Sequence, residues 1–188
     1  TETQRADSLL GSATPGGDGS PLVLDAFAEA LMDIGENRNL DQLNLTVNES
    51  PDLIIPEATS AIIDYNDGRV VITISESADT RANNLVIYGG FSLADKTGDS
   101  GPSAVPISDA SLTQGRVPTI ILTISEVERS LAIALSGTPG GDGDAVVLDV
   151  SASSFQDLAG NSNDDDLNLT VTEIADTTKP VVQNARVE

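Results

Sequence analysis

The sequence has no cysteine, no histidine and no tryptophan among its 188 residues. The first two absences exclude disulfides, thiol chemistry, histidine-based triads and the usual zinc sites. Aromatic residues are limited to two tyrosines and three phenylalanines, so a ligand pocket lined by rings is not expected. No apolar run approaches the roughly 18 residues that span a bilayer. We therefore expect no membrane insertion, and a structural or adhesive role rather than an enzymatic one with catalytic residues.

Basic residues are scarce as well, since nine lysines and arginines stand against 30 acidic residues and the net charge is −21. Nucleic acid is not an expected partner, because phosphate binding needs clustered Lys and Arg side chains. Divalent cations, or salt that screens the self-repulsion, suit such an acidic surface. The apolar content comes mainly from Val, Ile, Leu and Ala, which favours slim β-sandwich cores.

An internal repeat with an offset of 124 residues organises the chain. Leu43–Val47 reappears unchanged as Leu167–Val171. Residues 1–64 align with residues 125–188 without a gap, and 26 of these 64 positions are identical. A period of this length matches a whole domain rather than one unit of a solenoid.

The repeat divides the chain into one complete unit and two partial ones. It predicts that residues 1–51 are the C-terminal half of a preceding unit, residues 52–175 a complete unit, and residues 176–188 the start of the next. Half a sandwich cannot bury its own apolar face. We therefore predict that residues 1–51 pair with a segment outside the complete unit, supplied by a neighbouring repeat or by another copy of the protein.

Short β-branched and apolar runs predict strands throughout the chain. The predicted strands are 58–64, 70–75, 85–88, 119–125, 131–135, 145–150 and 167–172. Asn66-Asp67-Gly68 predicts a hairpin turn, and the Gly-Gly-Asp-Gly segments at 16–19 and 140–143 are interpreted in the same way. Residues 26–34 are expected to form at most a short helix. The predicted fold class is all-β, an immunoglobulin-like β-sandwich in a tandem repeat of about 124 residues.

Three short motifs stand in a consistent order around one period: Ile72–Glu76, Asp157–Asn161 and Lys179–Val182. They resemble the Ser-Glu strand end, the D-x-A-G-N turn and the opening Pro-Val-Val strand of bacterial-type immunoglobulin-like repeats in surface-layer and adhesin proteins. The earlier copy departs from the turn motif at residues 33–37, and the insertion between Phe91 and Ser108 is longer than usual. The resemblance implies an extracellular spacer, surface-layer or adhesin role, and no active site.

The acidic loops are candidates for a cation site. The predicted calcium ligands are Asp157, Asn161, Asn163, Asp164, Asp165 and Asp166. Calcium takes six to eight oxygen ligands from flexible loops, and the segment 64–68 is a second oxygen-rich stretch. The alternative is turn structure in which Asp and Asn side chains bond their own backbone. In the other copy, Leu40 and Gln42 replace two of the acidic residues, which weakens the calcium hypothesis.

Two glutamates, Glu76 and Glu126, follow similar predicted strands. A glycosidase needs two such carboxyls across a cleft, usually with aromatic platforms for the sugar. The lack of tryptophan favours the alternative, that the two charges keep a sheet edge soluble.

Glycosylation sequons begin at Asn44, Asn48 and Asn168. Asn44 and Asn168 occupy the same position in successive repeats. Their recurrence favours either glycan attachment or the packing of a well-preserved strand.

These observations favour a structural module of a long extracellular repeat protein that builds a filament, sheath or surface appendage. Its partners would be neighbouring repeats or other copies in a homopolymer, joined by strand complementation because no cysteine is present to cross-link them. The alternatives are an adhesin or surface-layer spacer that binds a cell-surface ligand, and a flagellar hair component. Calcium is the only cofactor under consideration.

Overall fold

The computed structural model describes residues 1–80, 86, 88–95, 104–113 and 118–181, which contain ten β-strands, two α-helices and one 3₁₀ helix. In chain order the elements are α1 (Glu2–Leu10), β1 (Val23–Ala26), β2 (Gln42–Thr46), β3 (Ala58–Asp64), β4 (Arg69–Ile74), the 3₁₀ helix (Tyr88–Gly90), β5 (Phe91–Ala94), β6 (Val105–Pro106), β7 (Ser111–Thr113), β8 (Thr119–Thr123), α2 (Glu126–Ala134), β9 (Val147–Val150) and β10 (Asp166–Ile174). The protein is therefore mostly β, as the sequence predicts.

Eight strands form one curled, mixed sheet in the order β6-β5-β9-β10-β3-β4-β8-β7. The pairing of β10 with β3 is parallel and aligns Val171 with Ala61, whereas the other pairs in this sheet are antiparallel. The first two strands, β1 and β2, pair only with each other in the described residues. We refer to residues 52–175 as the central unit and to residues 1–51 as the N-terminal segment.

The alternating pattern of β3 and β4 explains how the sheet forms its core. Ala61 and Ile63 are buried, while Ile62 between them is 42% exposed, because successive side chains of a strand point to opposite faces. The predicted hairpin between these strands is confirmed, with Gly68 at a φ of 71°. Glycine adopts this left-handed conformation without the steric cost that a Cβ imposes.

The core lies between the two ends of the curled sheet. The rings of Phe91 and Phe155 stack with centroids 6.5 Å apart. The largest fully buried side chains also include Tyr65, Ile63, Ile72, Leu93, Ile107, Ile120, Leu122 and Leu148. Aliphatic side chains thus supply most of the buried apolar surface.

The predicted strand at 131–135 is wrong, because Glu126–Ala134 forms α2. The Ser125 hydroxyl accepts a hydrogen bond from the backbone N–H of Glu128, whose side chain accepts one from the N–H of Ser125. This reciprocal capping box satisfies two N–H groups that a helix start leaves unpaired. In the described residues, no helix has the length and apolar content needed to cross a bilayer.

Three further expectations have different outcomes. The Gly-Gly-Asp-Gly segments are not hairpin turns, since each lies between a helix and the following strand. Residues 26–34 form no helix, which is consistent with the expectation of at most a short one, and Glu29 has a φ of 65°. Most of the predicted strand 85–88 lies outside the described residues; Val86 forms an isolated bridge with Phe155.

The N-terminal segment contains the local hydrogen bonds found 124 residues later. Glu29, Glu36 and Asn44 have positive φ, and so do the residues at the three corresponding positions. Four contacts, with their counterparts, are Arg5–Glu2 (Arg129–Glu126), Ser12–Thr14 (Ser136–Thr138), Asn37–Asp33 (Asn161–Asp157) and Asn44–Asp25 (Asn168–Asp149). The local geometry is shared, but the burial is not.

Burial separates the two copies because the N-terminal segment has no second layer in the described residues. Leu24 is 56% exposed, whereas its counterpart Leu148 is fully buried. The segment contacts the central unit where Gly16 packs against the backbone of Leu158. A Cβ at Gly16 would lie 1.9 Å from the carbonyl oxygen of Leu158, so this contact requires glycine.

We expect Gly16→Ala to loosen the N-terminal segment from the central unit. The counterpart variant Gly140→Ala is the matched control, because Gly140 has a φ of 103° but its Cβ would meet no atom closer than 3.4 Å. Both variants carry the left-handed strain of about 1–2 kcal/mol, but only the first meets a backbone atom. Amide hydrogen exchange should accelerate across residues 2–20 in Gly16→Ala alone. Equal exchange in the two variants would contradict this packing.

Candidate functional site

A cluster of charged side chains joins the N-terminal segment to the central unit. The junction cluster consists of Glu2, Arg5, Asp52, Glu76 and Asp157. The first two lie one turn apart on α1, which places them on the same face of the helix. The other three come from the start of the central unit, from the residues after β4 and from the loop after β9.

Arg5 is the cation at the centre of the junction cluster. Its Nε and Nη2 donate to the two carboxylate oxygens of Glu2 at 2.9 Å. The same guanidinium donates to Glu76 Oε2 at 2.7 Å and to Asp52 Oδ2. A planar guanidinium can bind several carboxylates at once because its five N–H groups point outward in a fixed fork. Arg5 thereby links α1 to two separate parts of the central unit.

The carboxylates of the junction cluster differ in how readily they ionise. Hydrogen bonds from Arg5 lower the pKa of Glu2 to about 2. Burial, followed by repulsion from Asp52, raises the pKa of Glu76 to about 7, although Glu76 also forms an ion pair with Arg5. Burial and the neighbouring carboxylates therefore outweigh the single guanidinium, because Glu76 is only 6% exposed.

Three oxygens of the junction cluster have the spacing of a cation site. One carboxylate oxygen each from Asp52, Glu76 and Asp157 lie within 4.8 Å of one another. Glu76 Oε1 is buried and, within the described part of the chain, has no hydrogen-bond partner. Carboxylate oxygens are typical calcium ligands, and backbone carbonyls or water would have to supply the rest of the six to eight that calcium takes. These three residues could hold a divalent cation beside Arg5.

The predicted calcium loop does not come together around one point. Of its six residues only Asp157 belongs to the junction cluster. Asn161 donates to Asp157 Oδ2 at 2.8 Å and to the Asp52 carbonyl at 3.2 Å. Asn163 bonds the backbone of Ser151 and Phe155, so both asparagines hold turns.

The remaining acidic residues of that loop lie elsewhere. Asp164, Asp165 and Asp166 line a separate cleft with Pro56 and Glu57. Asp165 accepts a hydrogen bond from the Ala152 N–H at 2.7 Å. In the second oxygen-rich stretch, Asp64 accepts from Asn66 and Asp67 from Arg69. The bonds of Asp64 and Asp67 stabilise turns, as in the alternative that the sequence left open, and calcium binding by this loop stays a prediction.

Sequence reasoning missed Asp52 and the role of Glu76, since neither belongs to an acidic run. The signal that was present is the pair Arg5 and Asp52, which recurs 124 residues later as Arg129 and Asp176. In the structure Arg129 Nη1 donates to Asp176 Oδ2 at 2.8 Å. A recurring pair of opposite charges marks a contact more specifically than a dense acidic loop does.

The two glutamates considered as a glycosidase pair lie in different settings. Glu76 is buried in the junction cluster, whereas Glu126 begins α2 and forms a 2.7 Å ion pair with Arg129. The alternative, that both are charges at strand ends on a soluble sheet edge, is therefore wrong for both residues.

The recurring sequon asparagines occupy a strained backbone position. Asn44 and Asn168 have φ of 59° and 62°, and asparagine tolerates this region better than most residues. The N–H groups of these asparagines donate to Asp25 and Asp149, each at 2.7 Å. The backbone thus accounts for their recurrence. Asn44, Asn48 and Asn168 are all exposed, and their glycosylation stays a prediction.

No family model, no curated protein and no solved structure matches this chain. The functional interpretation rests on the geometry of the junction cluster and on the repeat.

Glu76 should make stability depend on pH between about 4.5 and 7. The folded protein binds the Glu76 proton more tightly than the unfolded chain, whose carboxyl has the usual value of 4.5. Stability therefore falls as pH rises through this window. Glu76→Gln removes the effect, so its stability relative to the wild type should rise by on the order of 2 kcal/mol across the window. Urea midpoints from pH 4.5 to 7.5 would measure this.

Glu126→Gln is the control for that experiment, because the hydrogen bond from Arg129 lowers the pKa of this exposed carboxyl. Its difference from the wild type should stay constant between pH 4.5 and 7.5. A constant difference for Glu76→Gln as well would contradict the proposed titration.

Calcium should raise the melting temperature through the junction cluster rather than through the loop at 164–166. At a hundredfold excess over Kd, a single site should shift the midpoint by about 5 °C or more. Asp157→Asn should lose most of this shift, while Asp164→Asn should keep it. Melts with calcium and with chelator, at matched ionic strength, would test this. Equal midpoints of the wild type with calcium and with chelator would show that calcium does not stabilise the protein.

Proposed function

We propose that the chain is a structural module of a long extracellular repeat protein that builds a filament, sheath or surface appendage. In this proposal, immunoglobulin-like units follow one another every 124 residues. The N-terminal segment is the back half of one unit, and the central unit is the next. The role is mechanical support rather than catalysis.

The observation that carries the proposal is the shared local geometry of two segments 124 residues apart. Residues 1–51 contain the hydrogen bonds and left-handed residues of 125–175, yet their apolar side chains are exposed. Two segments with the same local geometry, one with its apolar side chains buried and one with them exposed, are expected where the second sheet of the exposed segment belongs to another repeat. This arrangement supports a polymer of the unit.

The strand order supports an immunoglobulin-like sandwich. An immunoglobulin domain arranges strands D, E, B and A in one layer and G, F, C and C′ in the other. Lettering the strands of the central unit from β3 as A to β10 as G gives β7-β8-β4-β3 and β10-β9-β5-β6, which is the observed order. The unusual additions are α2, between the strands lettered E and F, and the parallel pairing of β3 with β10.

The junction cluster supports a defined joint between successive units. Arg5 belongs to one unit and bonds Asp52 and Glu76 of the next. Ser77 adds a hydrogen bond from its N–H to Glu2 Oε1 at 2.8 Å. At the next joint Arg129 already bonds Asp176. Repeating this contact along a chain would fix the angle between neighbouring units.

The acidic composition supports an environment outside the cell. A net charge of −21 opposes close approach of neighbouring molecules, and salt or divalent cations relieve that repulsion. The junction cluster holds four carboxylates for one guanidinium, so such cations would bind where units meet.

Negative-stain electron microscopy of the complete parent polypeptide would test the proposal. We expect straight rods with a regular spacing of one 124-residue unit. Replacing the arginine equivalent to Arg5 by glutamine in every repeat should give rods that bend at each joint. The exposed Arg38, whose nearest carboxylate partner Glu29 is 4.0 Å away, offers the control substitution Arg38→Gln. Compact particles without periodic spacing would overturn the proposed function.

A further inference from the structure

The N-terminal segment contains a groove of about 340 Å³. We call it the half-unit groove. Its lining includes Arg5, Leu9, Ser12, Leu22, Val47 and Glu49. Apolar side chains thus share the groove with a carboxylate and a hydroxyl, a combination that suits an amphipathic ring rather than a purely apolar ligand.

In the central unit, the corresponding space holds Tyr65. This residue directly follows β3 and is fully buried. Its hydroxyl donates to Glu173 Oε1 at 2.8 Å, and its carbonyl accepts from Arg129 Nη1 at 2.6 Å. The Ser136 side chain also interacts with the tyrosine. Two polar side chains therefore hold the tyrosine hydroxyl, and Arg129 holds the backbone of the same residue.

The same three polar residues line the half-unit groove. Subtracting 124 from Arg129, Ser136 and Glu173 gives Arg5, Ser12 and Glu49, with no change of residue type.

The apolar lining corresponds in the same way. Leu9 and Leu22 replace Ile133 and Val146, and Val47 matches Val171, so the walls remain aliphatic. The half-unit groove therefore has counterparts of the three polar residues around Tyr65 but no tyrosine among the described residues.

The backbone beside the half-unit groove is also incomplete. In the central unit β10 pairs with β9 on one edge and with β3 on the other. Its counterpart β2 pairs with β1 alone in the described residues. The free edge of β2 leads directly into Val47 and Glu49, so a strand added there would deliver its final residue to the groove. Parallel pairing of β3 with β10 delivers Tyr65 in this way.

Glu49 shows how the site changes when it is filled. Its Oε2 accepts from the Ala13 N–H at 2.9 Å, as Glu173 Oε2 accepts from Gly137 at 3.3 Å. Its Oε1 accepts from the Leu22 N–H at 2.5 Å, whereas Glu173 Oε1 accepts from the Tyr65 hydroxyl. A tyrosine that enters the groove would thus donate to Oε1 of Glu49, while the hydrogen bond from Ala13 to Oε2 already holds the carboxylate in place.

We propose that the half-unit groove binds the β3–β4 hairpin of another repeat of the same protein. The strand equivalent to β3 pairs in parallel with residues 47–50, directly after β2, which correspond to Val171–Ile174. The tyrosine equivalent to Tyr65 enters the groove and donates its hydroxyl hydrogen bond to Glu49. This inference rests on the proposed function, because it requires a second repeat as the partner.

A peptide of residues 57–75, added to the complete chain, tests the proposal. We expect calorimetric binding to the wild-type peptide and slower amide exchange at residues 42–50. Tyr65→Ala in the peptide should weaken binding at least about thirtyfold, the loss typical of a buried aromatic anchor. Tyr65→Phe should cost about tenfold, through loss of a hydrogen bond to a charged group.

A double-mutant cycle assigns the hydrogen bond. Glu49→Gln in the chain should weaken the wild-type peptide about tenfold but leave the Tyr65→Phe peptide almost unchanged. Glu173→Gln is the matched control and should leave both affinities unchanged, because its own tyrosine occupies that site. A peptide of residues 176–188, which aligns with β3 but contains no tyrosine, should bind at least about thirtyfold more weakly than the hairpin.

A fusion covers the case in which the isolated hairpin does not fold. Residue 125 aligns with residue 1 without a gap, so a copy of residues 52–124 joined directly to Thr1 should complete the unit. We expect strong exchange protection of residues 22–24 and 42–50 in this fusion. A Tyr65→Ala substitution in the added copy should remove most of that protection.

Several results would overturn the proposal. The first is peptide binding whose affinity does not change when Tyr65 or Glu49 is substituted. The second is a peptide of residues 176–188 that binds as tightly as the hairpin peptide. The third is amide exchange at residues 42–50 that is the same in the fusion as in the original chain. If the chain associates with itself and the hairpin peptide does not inhibit that association, the groove binds a different occupant. If such results accompany periodic rods in the micrographs, only the tyrosine contact fails; compact particles would remove the repeat polymer itself.

Discussion

The parallel hydrogen-bond ladder between β3 and β10 joins the two halves of the central unit. It aligns Val171–Ile174 with Ala61–Asp64, and thereby connects the strands β4, β8 and β7 to β9, β5 and β6 in a single curled sheet. It also brings Tyr65 to Glu173 and Arg129, which fixes the end of β3 against α2 and β10. Beside β2, which pairs only with β1 in the described residues, the same local geometry persists with its apolar side chains exposed. The ladder thus accompanies the buried core of the central unit.

The acidic residues of this protein differ in their burial and in what they bind. The chain carries 30 acidic residues, and several of those in loops, such as Asp18, Asp33 and Asp67, accept hydrogen bonds from backbone N–H groups of their own turns. The junction cluster differs in that burial sets Glu76 apart from the exposed carboxylates, and Arg5 connects the N-terminal segment to the central unit. Repulsion among its carboxylates is the reason to expect that protons, and the proposed cations, affect this contact.

Much of the fold can be predicted from the sequence, because strand periodicity is a local pattern and the repeat is found by aligning the sequence with itself. The boundaries of β3 and the hairpin after Asp64 were predicted from the apolar and β-branched run Ala58–Asp64 and from Gly68. The helix α2 was missed because its apolar residues resemble a strand, although the Ser125 to Glu128 spacing of a capping box was present. The junction cluster could not be predicted in full, because Asp52, Glu76 and Asp157 are distant in sequence and meet only after the sheet curls. Left-handed Asn44 and Asn168 show the converse: a recurring motif that suggested modification has a backbone explanation.

The direction of β3 and β10 has a mechanical consequence. These are the first and last strands of the central unit, and they are parallel neighbours, so a chain pulled at both ends draws them past each other along their own length. Tension then loads all the hydrogen bonds of the ladder together in shear, whereas an antiparallel hairpin pulled from its open end breaks them one at a time. The central unit would accordingly resist extension up to a threshold force and then yield as a whole, and the proposed polymer of such units would lengthen in discrete steps under load.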